Sequence, residues 1–239
     1  MHLSHCRRAL PAWFRALLPT AVLCAALPLA ACQETPKIDF DDAGRQFAAR
    51  GPQPGQPLPE LSLVTREGHR ANLPQIAAGR PLVLVTASLT CSVAREQQTL
   101  VNQLAERYGD QIAVVIIYTI EAHPKTDPCP YTNEEWVPEA NKRDNVLVRQ
   151  PGTQAARMTL AAEYHTRYAL GSTLLIDTMD NASWKALGAA PNLGLLVDSK
   201  GIIRAREGWF DEEAMEKSLA ELGIQPLPGK PAIKKPKKS

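Results

Sequence analysis

Cysteine is scarce in this chain of 239 residues: there are five, and no two stand as a C-x-x-C pair. Dithiol exchange through neighbouring thiols is therefore excluded. Histidine is equally sparse. Only His69, His123 and His165 lie beyond the first 31 residues, and no pair has zinc-like spacing, so no metal site is expected. Long apolar runs are missing too. The most apolar stretch, Ala16–Ala31, is interrupted by Pro19 and Pro28 and falls short of the roughly 20 residues a membrane span needs. Net charge is only +2, and it comes from the two ends. Arg7, Arg8 and Arg15 precede the apolar stretch, and the segment from Pro226 to Ser239 holds five lysines and no acid. The interior is slightly acidic, which gives no case for nucleic-acid binding.

What is present begins with an address. The basic start, the short apolar stretch and the string Leu29-Ala30-Ala31-Cys32 read as a signal peptide over residues 1–31. The string looks like a lipobox, in which Cys32 takes lipid and becomes the new first residue; the alternative is ordinary cleavage that leaves Cys32 free. Gln33 follows rather than aspartate, and resemblance to lipoproteins of that pattern implies the outer membrane, on the periplasmic side of the cell envelope. Residues 32–55, polar and rich in proline towards the end, read as a tether. Residues 56–225 are expected to be one domain, and 226–239 a disordered basic tail.

Within the domain, Leu58–Val64 and Arg70–Leu73 flank the turn signal Arg66-Glu67-Gly68 and suggest a hairpin. Leu82–Ala87 and Ile112–Ile120 are apolar on both faces, as buried parallel strands are. Between them Leu100, Val101 and Leu104 repeat at helical spacing, predicting a helix from Val93 to Tyr108 stopped by Gly109. Glu121–Pro151 carries five prolines and no periodicity and reads as a long loop. A helix over Thr153–Tyr168, a strand over Thr173–Ile176 and a short helix over Asn181–Leu187 come next. The hairpin Leu193–Val197 and Ile202–Ala205 and a last helix over Glu212–Leu222 complete the chain. Strands alternating with helices imply a parallel sheet with right-handed crossovers.

Cys91 is placed at the end of the first core strand and the start of a helix. Free N–H groups and the helix dipole favour a thiolate there, with the hydroxyls of Ser88 and Thr90 nearby; a buried, inert cysteine is the alternative. His123 follows the next strand. If the two strands are neighbours, both residues emerge at the same carboxyl edge of the sheet, where a partly protonated imidazole favours a thiolate. Glu121 is either a partner in that chemistry or a solvated loop acid. Cys129 sits between Pro128 and Pro130, which keep the segment irregular and, on this reading, exposed. It is a candidate resolving thiol for Cys91, or its partner in a structural disulfide. Tyr131 and Trp136 are candidates for stacking on an aromatic ligand, with core cover the alternative for Trp136.

The element order resembles the thioredoxin fold in its redoxin variant, an α/β architecture with a central mixed sheet flanked by helices. By that likeness Pro191 matches the family's cis-proline. Three strings in order, Ser88-Leu89-Thr90-Cys91, Tyr118-Thr119-Ile120-Glu121-Ala122-His123-Pro124 and Met179-Asp180-Asn181, resemble the iodothyronine deiodinases over Pro81–Trp209. The resemblance implies that Cys91 stands where the family has selenocysteine, as nucleophile, and that His123 with Glu121 serves a proton relay. The chain departs from the pattern in having Ser92-Val93 where the family has Pro-Pro, and sulfur in place of selenium. The activity implied is a thiol-dependent oxidation–reduction on a small molecule, with no cofactor and with an external thiol as reductant. A peroxiredoxin-like peroxidase shares the Ser-x-x-Cys spacing, and a lipid-tethered binding module with a Cys91–Cys129 disulfide is the non-enzymatic alternative.

Overall fold

A computed structural model describes residues 39–233. The expected signal peptide, the lipidation site Cys32 and the end of the tail lie outside the described residues. Six strands form one sheet: β1 (Leu63–Val64), β2 (Leu82–Ala87), β3 (Ala113–Tyr118), β4 (Thr173–Asp177), β5 (Gly194–Val197) and β6 (Ile203–Glu207), in spatial order β1-β4-β3-β2-β5-β6. β2, β3 and β4 run parallel, and β1, β5 and β6 are antiparallel to their neighbours. Among the described residues seven α-helices accompany them: α1 (Phe40–Ala49), α2 (Leu73–Ala77), α3 (Ser92–Tyr108), α4 (Glu139–Arg143), α5 (Gln154–Arg167), α6 (Ala182–Ala186) and α7 (Glu212–Glu221). This is the thioredoxin-like mixed sheet flanked by helices.

Side-chain alternation explains the layers. Every residue of β2 and β3 is buried, so successive side chains enter opposite cores. Val83, Val85 and Ile116 meet Leu100 and Leu104 of α3, Tyr164 of α5 and Leu219 of α7. Leu84, Val115 and Ile117 meet Phe47 of α1, Leu73 of α2 and Leu187. α3 and α5 are the crossover helices. Thr153 caps α5 by accepting the Ala156 N–H, and Gly109, at φ 53°, ends α3.

Four expectations need correction. Residues 39–55, the described part of the expected tether, are not a plain linker: α1 starts at the capping side chain of Asp39 and puts Phe47 into the core. The carbonyls of Phe47 and Ala48 at its end accept from Arg206, and that of Phe40 accepts from Trp209 Nε1. Glycine at position 208 permits this docking, since a Cβ there would stand 1.9 Å from the Gly44 oxygen. The early hairpin shrinks to β1 and a single bridge from Val64 to Arg70, because Asn72 caps α2 where the return strand was expected to end. The tail is not wholly detached: Leu227 N–H donates to the Arg107 carbonyl, and Arg107 Nη1 donates to that of Pro231, at 2.6 Å. Finally, no described peptide bond is cis, so Pro191 follows a trans bond, the default for any X–Pro pair. Among the described residues no helix is long and apolar enough to cross a membrane.

Candidate active site

The parallel register Ala87↔Tyr118 ends β2 and β3 side by side, so the segments that follow them meet at one sheet edge. After β2 the chain turns through Ser88–Thr90, with Cys91 N–H on the Ser88 carbonyl. Cys91 is then the N-cap of α3: its Sγ accepts the Ala94 N–H at 3.4 Å. Ala94, at the position where a C-x-x-C motif has its second thiol, thus supplies a backbone donor instead.

The Ser-x-Thr and Glu-Ala-His strings form a clasp between the two segments. Glu121 is fully buried and accepts Thr90 N–H at 2.9 Å, Thr90 Oγ1–H at 2.7 Å and the Tyr118 hydroxyl. Thr90 Oγ1 in turn accepts His123 N–H at 3.0 Å, Ser88 Oγ accepts Ala122 N–H, and Tyr118 Oη accepts Leu89 N–H. No hydrogen bond joins Glu121 to the His123 ring. Glu121 therefore holds the cysteine loop in place, and it is no solvated loop acid. Its buried carboxyl is pushed above the usual range by desolvation, against the opposing hydrogen bonds of Tyr118 and Thr90.

A second support comes from residues outside the three strings. Arg95, one turn into α3, donates to the Leu89 carbonyl, to Asn141 Oδ1 and to Asp144 Oδ2; Asn141 donates to the Thr90 carbonyl at 2.8 Å. Sequence reasoning missed both. Spacing hints at Arg95, which lies on the helix face of Cys91; nothing local marks Asn141. Met179-Asp180-Asn181 builds the entry to α6: Asp180 accepts Ala182 N–H, and Asn181 accepts the buried Arg157. On the far side, Thr86 donates to the Ala190 carbonyl and accepts Leu193 N–H, fixing the strand entry on which Pro191 sits.

These parts enclose a cavity of about 100 Å³, lined by Cys91, His123, Pro191, Phe47, Tyr131 and Trp136, with Phe40 and Trp209 at its α1 end. His123 meets Trp136 edge to face at 4.4 Å between ring centres. α1 is thus one wall of the site. A larger hollow of about 360 Å³ on the other flank of α1 is lined by Asp42, Gln46, Arg50 and Trp184 and contains no cysteine.

Burial rules the electrostatics. Cys91, 2% exposed, has its thiol pushed up to about 11 by desolvation, which outweighs the Ala94 hydrogen bond and the nearby Arg95. His123 is pushed down to about 4, first by desolvation and then by Arg95. Both directions oppose the expectation of a thiolate beside a partly protonated imidazole: at neutral pH the closed site holds a thiol and a neutral ring. The Nδ1 of His123 is buried without a partner.

Cys129 is also corrected. It is fully buried, not exposed, and heads a tight turn in which its carbonyl accepts Thr132 and Asn133 N–H. Both cysteines are free thiols, so the disulfide of the binding-module alternative is not formed. The phenol of Tyr131 is pushed well above its usual range, first by burial and then by the neighbouring charge sites of Cys91 and Cys129. Among the described residues no group of three or more histidine, cysteine or acidic side chains could hold a metal.

Comparison with known proteins gives the family. Residues 42–216 match the family model described as iodothyronine deiodinase. Thyroxine 5-deiodinases of Homo sapiens and Mus musculus are each 27% identical over 169 residues, 70% of this chain and 49% of theirs. The chain therefore spans about half the length of these relatives. Among solved structures, a putative thiol:disulfide interchange protein DsbE from Chlorobium tepidum aligns at a TM-score of 0.48 and 15% identity, covering 71% of this chain and 96% of that one.

Proposed function

Since the chain belongs to the iodothyronine deiodinase family, we propose that it is a thiol-dependent oxidoreductase with Cys91 as nucleophile. The observation that carries this reading is the placement of a free thiol as the N-cap of α3, inside an aromatic-walled cavity that it shares with His123. The Glu121–Thr90 clasp supports it, because a site that positions one sulfur with several buried hydrogen bonds is organised around that sulfur.

The chemistry follows from the groups present. His123, neutral and with Nδ1 unpaired, is the acceptor for the thiol proton. The closed cavity disfavours both charged products, so the transfer belongs to a state in which bound substrate or entering water relieves the desolvation of both groups. The thiolate then attacks a halogen on an aromatic carbon. The S–X bond forms, the C–X bond breaks with its electron pair left on carbon, and the carbon takes a proton. A second thiol attacks the sulfenyl halide, forming a disulfide and releasing halide. That second thiol is Cys129 or an external reductant; a further thiol restores Cys91. Lipid at Cys32 would hold the domain at the periplasmic face of the envelope, and Cys32→Ala should then release it from membranes.

The test is turnover by the reduced protein on iodinated phenols and on peroxides, with Cys91→Ser as control. Deiodination lost in the variant with the fold retained is the expected result. Equal activity in both would remove Cys91 from the mechanism, and turnover of peroxides alone would move the protein to the peroxidase class.

A further inference from the structure

We propose that α1 is a lid on the Cys91 site. Docked as described here, it closes the thiol off; it leaves its seat beside β6, turning about Gly51, to let a reactant in. This rests on the reading of Cys91 as the reacting thiol, but not on which electrophile that thiol meets.

The need for an opening comes from burial. Cys91 is 2% exposed, and its sulfur faces a cavity closed by side chains from α1, α3, the 121–151 loop and the Pro191 segment. A reactant reaches a thiol so enclosed only when a wall moves.

Most of the walls are pinned. Ser92 and Val93 belong to α3, a helix of 17 residues, and Thr86 holds the chain on both sides of Pro191. The loop that carries Tyr131, Trp136 and Pro138 is tied at its base, where Lys125 N–H donates to the Val148 carbonyl and Asp127 pairs with Arg149. Asn141 ties it again to Arg95 and to the Thr90 carbonyl.

α1 is held more lightly. Phe47 is its one buried side chain, and Phe40, at its start, is 57% exposed. Side-chain donors dock it: Trp209 Nε1 on the Phe40 carbonyl, and Arg206 on those of Phe47 and Ala48. Water can replace each donor when the helix moves away. The hollow of about 360 Å³ on its other flank leaves that side loosely packed. A helix of ten residues with one buried anchor belongs to the low-stability end of a fold, from which lids are drawn.

The chain also supplies a pivot. Arg50 ends α1 with extended backbone, and Gly51 follows at φ 75°, in the left-handed region that favours glycine. Beyond it the chain is stitched down. Gly55 N–H donates to the Ile203 carbonyl, Ile203 N–H to that of Gln56, and Leu58 N–H to that of Gly201. Rotation is thereby confined to the few residues between α1 and Gly55.

The test reads access to the sulfur rather than turnover, so a failure of the lid and a failure of Cys91 as nucleophile are told apart. Iodoacetamide alkylation of the Cys91 peptide is followed in the full chain at pH 8, beside amide hydrogen exchange, in low urea. Local opening predicts that alkylation rises with urea as steeply as exchange in α1, and much less steeply than global unfolding. Two variants should loosen the dock. In Gly44→Ala the new Cβ would stand 2.7 Å from the Trp209 ring, and in Gly208→Ala it would meet the Gly44 carbonyl. Each should speed alkylation about tenfold or more and quicken exchange in α1, while β2 and β3 stay protected. Alkylation with the urea dependence of global unfolding would overturn the proposal. So would an unchanged alkylation rate in a variant whose α1 exchanges faster. If neither variant loosens α1, the urea dependence decides alone. Alkylation as expected in a protein that turns over no electrophile would keep the lid and sink the reading of Cys91 as nucleophile.

Discussion

The sharpest quantitative consequence of the structure is the alkaline titration of Cys91. Desolvation moves its thiol from 9.0 to about 11. At pH 8 the thiolate fraction is therefore about 10⁻³, against about 10⁻¹ for an unshifted thiol, so ionisation alone slows alkylation about 100-fold. The rate should rise about tenfold per pH unit and level off only near 11. The same shift enters stability. The unfolded chain gives up its thiol proton near pH 9 and the folded chain near pH 11, so between these values the unfolded state holds fewer protons. Stability contributed by this group is whole below pH 9 and declines as pH rises, by about 1.4 kcal/mol per unit and about 3 kcal/mol in all. Two assays read it: iodoacetamide alkylation of the Cys91 peptide followed by mass spectrometry, and urea unfolding from pH 7 to 11 compared with Cys91→Ala, which should lack the Cys91 part of the decline. A rate plateau at or below pH 9, or identical alkaline slopes in the two proteins, would refute the argument that burial dominates the helix N-terminus at this thiol.

Other consequences follow from single contacts. Thr90→Val removes the hydroxyl that donates to Glu121 and accepts from His123; leaving those buried groups short of a partner should lower stability by about 2 kcal/mol in urea unfolding and reduce turnover further. Glu207, pushed up to about 8 mainly by burial, contributes stability that is whole below its unfolded value of 4.5 and is lost as pH rises to about 8. Glu207→Gln should remove this loss, which amounts to up to about 5 kcal/mol, and make the stability profile from pH 5 to 8 flatter. Gly208→Ala should undock α1, because the new Cβ would collide with the Gly44 carbonyl; more rapid proteolysis near α1 and a lower melting temperature are the expected signs, and unchanged values would contradict the close approach.

Much of this protein was legible in its sequence where hydrophobic pattern and chain order suffice. The apolar runs at Leu82–Ala87 and Ile112–Ile120 revealed the buried parallel strands that the structure has at Leu82–Ala87 and Ala113–Tyr118, and their order placed Cys91 and His123 at one edge. α1 was missed because Asp41, Asp42 and Arg45 make its stretch look like polar linker, although Asp39 as a cap and Phe40, Ala43 and Phe47 at helical spacing were there to be read. The prolines beside Cys129 pointed to irregular backbone, correctly, but irregular is not exposed: the Asp127–Arg149 ion pair and the turn at 129–134 fold this loop back onto the core. The thiol and imidazole shifts were beyond reach for a different reason. A helix N-terminus can be located from sequence, whereas desolvation depends on Phe47, Tyr131 and Trp136, brought to the sulfur from distant parts of the chain.

The central claim is that Cys91 is the atom that accepts the substrate's electrophile. It is tested most directly by trapping. The reduced protein is mixed with one equivalent of an iodinated phenol and a carbon nucleophile that captures sulfenyl species, and the modified peptide is located by mass spectrometry. The account predicts label on Cys91, in step with the dehalogenated phenol formed, and none in Cys91→Ser. Dehalogenated phenol formed with Cys91 unlabelled and free of disulfide, or formed undiminished by Cys91→Ser, would contradict it.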